Sequence, residues 1–160
     1  MRSLVVFVAG ILIGSAMQVP TAQQSRRLIG LNHVALSVQN FDEAVKFYTN
    51  TLGMKEAFAF RDANGAPVLT YLQISRDTFL ELQPATATRP PGISHIGLQV
   101  DDMSAAVAQF RQGGLSVQDP TISERTRARL AQGTDPNGVR IELLELGTDS
   151  SHRKAMDAWK

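Results

Sequence analysis

The chain contains no cysteine, and this absence limits the chemistry that it can perform. A disulfide framework, a thiolate metal site and a cysteine nucleophile are all excluded, so any metal must be bound through nitrogen and oxygen. An excess of charge of one sign is also missing, since 16 Lys and Arg residues stand against 15 Asp and Glu residues. Because the sequence has no basic run or stripe, nucleic acid is not expected to be a partner.

Long hydrophobic runs are absent except at the N-terminus. Arg2 precedes the uncharged residues 4–17, LVVFVAGILIGSAM, which are typical of a secretory signal and short for a helix that spans a bilayer. We expect residues 1–22 to be a signal peptide or an N-terminal membrane anchor, and residues 23–29 to be a linker. The protein is therefore expected to be exported, to the periplasm or the extracellular space, or to be tethered to the membrane by residues 4–17.

An internal repeat organises the rest of the sequence. Residues 33–38, HVALSV, are matched by residues 95–100, HIGLQV. Near the end of each unit comes a short apolar-Glu-apolar segment, LEL at 80–82 and IEL at 141–143. Such self-similarity indicates two copies of one structural unit. Each copy contributes one His and one Glu at matching places, and a pseudo-twofold axis can bring these four residues to one point.

Each copy has the pattern of a βαβββ module. Alternating apolar and polar residues predict the strands, apolar residues at helical spacing predict one helix per copy, and Gly and Pro mark the turns. The sequence thus predicts an α+β fold with two tandem modules, at about 30–88 and 92–147, within a domain at 30–147. Predicted strands lie at 31–38, 55–61, 68–74, 78–83, 93–100, 115–118, 126–133 and 139–146, and predicted helices at about 41–52 and 104–112.

The residues after this domain, 148–160, form a C-terminal tail that is predicted to be short and helical. Trp159 in the tail is expected to pack against the domain or against a partner chain. His152 is expected to be a solvated side chain. Neither residue is assigned a part in the chemistry.

Four polar residues carry the candidate chemistry. Because neighbouring residues in a strand point to opposite faces, His33, Glu81, His95 and Glu142 all lie opposite the apolar rows that must cover the helices. A buried carboxylate is costly unless a charge or a metal accompanies it. Two neutral imidazoles and two carboxylates balance one divalent ion, and this donor set suits Zn, Ni, Co, Mn or Fe, among which the sequence does not choose. Taken singly each is an ordinary strand residue, but their repetition favours one shared metal site.

Four motifs connect the chain to a known superfamily. They are LNHVALSV at 31–38, AVKFY at 44–48, GISHIGLQVDD at 92–102 and DPNGVRIEL at 135–143. In these motifs the chain resembles the vicinal oxygen chelate superfamily, whose members include glyoxalase I, methylmalonyl-CoA epimerase, type I extradiol dioxygenases and fosfomycin- or bleomycin-resistance proteins. The resemblance covers about 30–147 and implies a curved mixed sheet around one divalent transition metal ion. The ligands that it implies are His33, Glu81, His95 and Glu142.

The resemblance also implies an activity. A carboxylate at Glu81 resembles glyoxalase I, and glyoxalase I and the epimerases both remove a proton from a carbon next to a metal-bound carbonyl. The implied protein is a lyase or isomerase for a small molecule, with Glu142 as base and ligand and Glu81 as ligand and second acid or base. Ser37 stands where glyoxalase I enzymes carry an Arg that helps to hold glutathione, so the substrate is left open. A homodimer is implied, with the site built within one chain or across two.

Two other functions are compatible with the same residues. A binder of the resistance type would sequester a drug or metabolite in the cup, which is the concave face of the curved sheet. It would bind metal weakly or not at all. An exported Fe(II) dioxygenase would cleave aromatic rings and would need only His33, His95 and Glu142 as ligands. The side chains that could line the cup and select a substrate are Arg61, Tyr71, Gln83, Gln99 and Arg140.

Overall fold

A computed structural model of the protein describes residues 27–160. The expected signal peptide or anchor at 1–22 and most of the linker at 23–29 lie outside the described residues, so export and tethering stay predictions. From residue 27 onward, no helix is both long enough and apolar enough to cross a membrane.

The secondary structure elements follow one another twice in nearly the same order. The first module consists of β1 (Leu28–Val38), α1 (Phe41–Lys46) with a π-helical continuation (Phe47–Thr51), β2 (Lys55–Arg61), β3 (Pro67–Ser75) and β4 (Thr78–Pro84). The second consists of β5 (Gly92–Val100), α2 (Met103–Gln112), β6 (Ser116–Val117), β7 (Thr121–Ile122), β8 (Arg129–Thr134) and β9 (Arg140–Glu145). A C-terminal helix, α3 (Ser151–Ala158), follows. These are the predicted modules, with β7 as an additional short strand.

The strands of both modules form one mixed sheet. Its order is β2-β3-β4-β1-β5-β9-β8-β6, and β7 pairs with β8. In each module the first strand runs parallel to the last one, β1 beside β4 and β5 beside β9. The modules join through the antiparallel pair β1–β5, in which Val34 lies opposite Ile96. Because these two residues are equivalent in the repeat, a local twofold axis passes between them. The predicted α+β fold of two tandem modules is confirmed.

The outer face of the sheet is covered by the two module helices. α1 packs over Leu72, Leu80 and Leu82, and α2 packs over Val100 and Leu143. Full burial of a leucine side chain contributes about 2 kcal/mol, so these apolar rows hold the helices to the outer face. Since strand residues alternate between faces, the polar residues of β1, β4, β5 and β9 are left on the inner, concave face.

α3 lies against the inner face of the first module. Its His152 is fully buried, with ring centroids 5.0, 4.6 and 5.4 Å from those of Phe58, Tyr71 and Phe79. Met156, one helical turn later, belongs to the same cluster. The expectation of a solvated His152 is wrong, because α3 turns this residue toward aromatic rings that exclude water. Neither of its ring nitrogens has a hydrogen-bond partner among residues 27–160.

Other differences from the sequence predictions concern the borders of elements. The strand predicted at 115–118 is reduced to Ser116–Val117, and the one predicted at 126–133 begins at Arg129, since the chain between them passes through β7. Arg127 in the connecting turn has a left-handed backbone, with φ of 59°. Trp159 is half-buried, and Lys55 Nζ lies 5.6 Å from its ring centroid, so this residue packs against the domain as expected.

Replacing His152 by Phe is expected to reduce the loss of stability in mild acid. Burial lowers the pKa of His152 to about 3, from an ordinary value of 6.5. Between these values the unfolded chain binds a proton that the folded chain does not, so the stabilising effect is complete above pH 6.5 and is lost as the pH falls. From pH 6.5 to 4.5 the wild type should lose about 2 kcal/mol more than H152F, measured by urea unfolding of metal-free protein.

A change in packing caused by Phe does not depend on pH, and losing the effect of His152 on the pKa of His33 would reduce the slope in the same direction. The comparison therefore uses only the slope of the unfolding free energy against pH. Equal slopes for the wild type and His152→Phe would show that His152 is not held neutral in the core.

Candidate metal centre

Four side chains converge on the inner face where the modules meet. His33 and His95 come from β1 and β5, and Glu81 and Glu142 come from β4 and β9. The two Nε2 atoms lie 3.0 Å apart. Glu81 Oε2 lies 3.5 Å from His33 Nε2 and 3.7 Å from His95 Nε2, and Glu142 Oε2 lies 3.7 and 3.9 Å from the same atoms. One chain thus brings together all four predicted site residues, and each of them is buried.

This set of donor atoms fits a divalent ion. Two atoms that bind the same ion at about 2.1 Å lie about 3 to 3.5 Å apart when they are neighbours around it. The distance between the two Nε2 atoms is of this size, and the distances from the carboxylates to the imidazoles are slightly longer, at 3.5 to 3.9 Å. The tightest group is His33, Glu81 and His95, whose ligand atoms all lie within 4.8 Å of one another, and Glu142 lies outside this group. The two carboxylates would balance the charge of a divalent ion.

A neighbouring amide selects the tautomer of His33. Nδ1 of His33 lies 3.0 Å from Asn32 Oδ1, and both residues are fully buried. A carbonyl oxygen only accepts, so with the amide in this orientation Nδ1 carries the proton and Nε2 has a lone pair for a metal. The register of β1 against β5 shifts between Leu31 and His33, which lets consecutive side chains meet. Sequence reasoning missed Asn32, because strand alternation places it on the opposite face from His33.

Each carboxylate has a hydrogen-bond donor on the neighbouring strand. Tyr71 Oη donates to Glu81 Oε2 at 2.6 Å, and Gln132 Nε2 donates to Glu142 Oε1. Tyr71 lies opposite Glu81 in the β3–β4 pair, as Gln132 lies opposite Glu142 in the β8–β9 pair. The two donors therefore occupy equivalent positions and restrict the carboxylates in the same way. Tyr71 was among the predicted residues of the cup, whereas Gln132 was missed.

The close approach of the two histidines depends on small residues across the junction of the modules. In the β1–β5 pair, Gly97 lies opposite His33 and Ala35 lies opposite His95. A Cβ on Gly97 would lie 2.7 Å from His33 Nε2 and closer still to two other atoms of the ring. In both copies the small residue stands two positions after the histidine. This spacing is visible in the sequence, but its reason becomes clear only when the strands are paired.

Burial controls the protonation of the imidazoles. Burial, followed by the neighbouring His95 and His152, lowers the pKa of His33 well below its usual value. Burial, with smaller contributions from Arg140 and Arg89, lowers the pKa of His95 to about 4. Both imidazoles are therefore neutral at neutral pH, which is the form that binds a metal.

The same burial makes the carboxylates more basic. Burial, followed by the negative charge of Glu81, raises the pKa of Glu142 to about 7. Burial also raises the pKa of Glu81, against the opposing effects of the Tyr71 hydrogen bond and of Arg89 and Arg140. Ionising two buried carboxylates next to each other costs free energy unless a cation lies between them. The electrostatics of the site therefore favour a bound divalent ion.

The other predicted residues of the cup are distributed unevenly. Gln83 and Gln99 are buried on the inner face. Arg140 lies beside the site, where its Nη2 donates to Gln132 Oε1 at 3.3 Å. The placement of Arg61 in the cup is wrong, because its guanidinium is exposed and donates to a carbonyl in the turn between β2 and β3.

Fold and site together define a class of proteins, namely duplicated βαβββ domains with His and Glu side chains clustered where the two copies join. Comparison with known proteins identifies the family. The profile of the Glyoxalase/Bleomycin resistance protein/Dioxygenase superfamily matches residues 30–143. The chain belongs to this superfamily, as the sequence motifs indicated.

Individual relatives include two kinds of enzyme. A lactoylglutathione lyase of Neisseria meningitidis is 29% identical over 123 residues, which cover 72% of this chain and 89% of that protein. A mitochondrial methylmalonyl-CoA epimerase of Dictyostelium discoideum is 26% identical over 129 residues, 72% of this chain and 77% of that protein. The crystal structure of methylmalonyl-CoA epimerase from Mycobacterium tuberculosis has the same fold, with a TM-score of 0.65 at 22% identity, covering 77% of this chain and 91% of that one.

Replacing Gly97 by Ala is expected to weaken metal binding by about tenfold or more, because the new methyl group occupies the place of the His33 ring. Gly30→Ala is the matched control, since a Cβ at Gly30 meets nothing within 4 Å and this residue lies in the same strand pair. Metal affinity is measured by competition with a coloured chelator. Equal affinities for G97A and G30A would contradict the close packing of His33 against Gly97.

Replacing Asn32 by Ala is expected to lower metal affinity by about 10- to 100-fold, because His33 loses the acceptor that fixes its tautomer and ring orientation. Asn32→Asp keeps an acceptor oxygen at the same place and should retain most of the affinity. The same chelator competition compares the two variants. If N32A and N32D bind the ion equally well, the hydrogen bond to His33 has no part in positioning this imidazole.

Proposed function

We propose that the protein is a metal-dependent lyase or isomerase of the glyoxalase type, which removes a proton from a carbon next to a carbonyl group of a small substrate. The observation that carries this proposal is the pair of buried carboxylates, in different hydrogen-bonding states, beside two neutral imidazoles. His33, Glu81, His95 and Glu142 would hold the ion. A bound divalent ion would polarise the carbonyl and stabilise negative charge on its oxygen.

Glu142 is the better placed of the two bases. Gln132 holds its Oε1, while Oε2 points to the imidazoles and accepts no hydrogen bond from the described residues. Burial raises the pKa of this carboxyl to about 7. A group with such a pKa can both take up and release a proton at neutral pH.

Glu81 is suited to the second role. Its Oε2, which faces the imidazoles, already accepts the hydrogen bond from Tyr71. This bond stabilises the ionised carboxylate and so reduces its basicity. Glu81 therefore acts first as a ligand and second as an acid or base.

The proposed reaction is a proton transfer that conserves all atoms and electrons. Oε2 of Glu142, once released from the ion, would take the proton from the carbon, and the electron pair that is left behind would move toward the carbonyl oxygen. In an isomerisation the first carbon carries a hydroxyl group: the proton is added to the former carbonyl carbon, the hydroxyl proton moves to the former carbonyl oxygen, and the first carbon becomes the new carbonyl. In an epimerisation a proton is added to the other face of the same carbon. Glu81 and Glu142 come from strands on opposite sides of the β1–β5 pair. This placement supports a reaction in which the two carboxylates act on opposite faces of one substrate.

The comparisons support an enzyme of this general kind, since a lactoylglutathione lyase and a methylmalonyl-CoA epimerase are both among the relatives. Of the competing functions, a sequestering binder requires a cavity but no buried pair of carboxylates. A ring-cleaving dioxygenase requires only three ligands. The fourth residue, Glu81, with its own hydrogen-bond donor, favours the lyase or isomerase.

Glu142→Gln is expected to lower kcat by about 10²- to 10⁴-fold, because the amide is not a base. Glu81→Gln should cause a smaller loss. The reaction is followed by NMR as incorporation of solvent deuterium at the substrate carbon, with 2-oxoaldehyde hemithioacetals and thioesters as substrates and the ion at saturation. Glu124→Gln, in an exposed turn before β8, is the control and should behave as the wild type.

Metal analysis of the same proteins separates the base from the ligand. The wild type should retain about one transition metal ion per chain, and E142Q should reach the same content when the ion is in excess. Full turnover of metal-loaded E142Q would show that Glu142 is not the base. A wild-type protein that binds no transition metal would instead support a sequestering binder.

A further inference from the structure

The two halves of the cup have diverged at one pair of equivalent positions. Phe79 stands two residues before Glu81, and Arg140 stands two residues before Glu142, so both lie on the inner face of the sheet. Phe79 is fully buried, whereas Arg140 is exposed. The first module therefore has an apolar ring where the second has a cation.

The first half of the cup is filled by the protein itself. α3 inserts His152 and Met156, which pack against the rings of Phe58, Tyr71 and Phe79. Tyr71, Phe79 and His152 are all buried. A substrate held at the four site residues has no room to extend in this direction.

The second half of the cup is open and polar. It contains a cavity of about 370 Å³ lined by Ser116, Gln118, Gln132, Gly133, Thr134 and Arg140. The cavity adjoins the site through Gln132, which donates to Glu142. Hydroxyl and amide groups surround one guanidinium, and no carboxylate belongs to the lining.

Most N–H donors of Arg140 have no acceptor among the described residues. One of its nitrogens donates to Gln132 Oε1, and the ion pairs found among residues 27–160 do not include it. A guanidinium has five N–H donors in a planar arrangement that suits carboxylate and phosphate oxygens. Along β9 it stands about 7 Å from Glu142, the length of two strand residues.

We propose that the substrate lies over the second module and presents an anionic group, a carboxylate or a phosphate, to Arg140. This makes Arg140 a specificity-determining residue. The inference rests on the proposed function, because the other end of the substrate must bind the ion. Since α3 closes the first half of the cup, the substrate has one orientation.

Three chelating probes test this inference on the metal-loaded protein by calorimetry. They are N-hydroxyamides of equal length that end in a carboxylate, a phosphonate or a neutral carboxamide. The wild type should bind at least one anionic probe about tenfold or more tightly than the carboxamide, and the stronger of the two identifies the group. Arg140→Gln should bind all three equally, and Arg140→Lys should keep part of the preference.

Arg125→Gln is the matched control, since Arg125 is an exposed arginine of the same module outside the cavity lining, and this variant should keep the full preference. Unchanged affinity of R140Q for the carboxamide probe shows that its metal site is intact. A preference that persists in R140Q, or a wild type without any preference, overturns the inference and leaves the proposed function standing. If the carboxamide probe does not bind the wild type at all, chelation itself fails, and with it the proposed function.

Discussion

The burial of two carboxylates beside two neutral imidazoles is the constraint on which the rest of the structure depends. Without a cation, the hydrogen bonds from Tyr71 and Gln132 and the charges of nearby arginines do not offset the cost of burying the charges of Glu81 and Glu142, and the imidazoles resist protonation. The sheet order places the four residues on adjacent strands, β4, β1, β5 and β9. Any ion that binds there links the two modules directly, so metal binding and the association of the modules stabilise each other.

The antiparallel pairing of β1 and β5 converts the repeat into a site. Because Val34 lies opposite Ile96, each histidine faces the residue two positions beyond the other histidine. That residue is small in both copies, Ala35 in one and Gly97 in the other. The donors Tyr71 and Gln132 follow the same symmetry, with a phenol in one module and an amide in the other. Duplication thus preserves the geometry while the chemistry of single positions changes.

The sequence is sufficient for the two modules and the four central residues of the site. The two modules and the convergence of His33, Glu81, His95 and Glu142 follow from strand alternation combined with the repeat. Asn32 does not follow, because it depends on a local shift of register between β1 and β5. His152 does not follow either, since the tail has no counterpart in the repeat and alternation says nothing about where α3 packs. Arginine is a residue type common in binding sites, but the guanidinium of Arg61 donates a hydrogen bond to a carbonyl in the adjacent turn and does not reach the site.

The C-terminal helix α3, to which the sequence assigned no part in the chemistry, explains why the two halves of a symmetric cup differ. A duplicated domain would accept a substrate in two opposite orientations. After β4 the chain continues to β5, but after β9 it is free to form α3, which returns to the first module and buries His152 against Phe79. The same packing excludes water from His33 and helps to lower its pKa. One helix therefore keeps the His33 imidazole neutral and fills the half of the cup beside Phe79, so the symmetry of the four site residues is retained while the two halves around them differ.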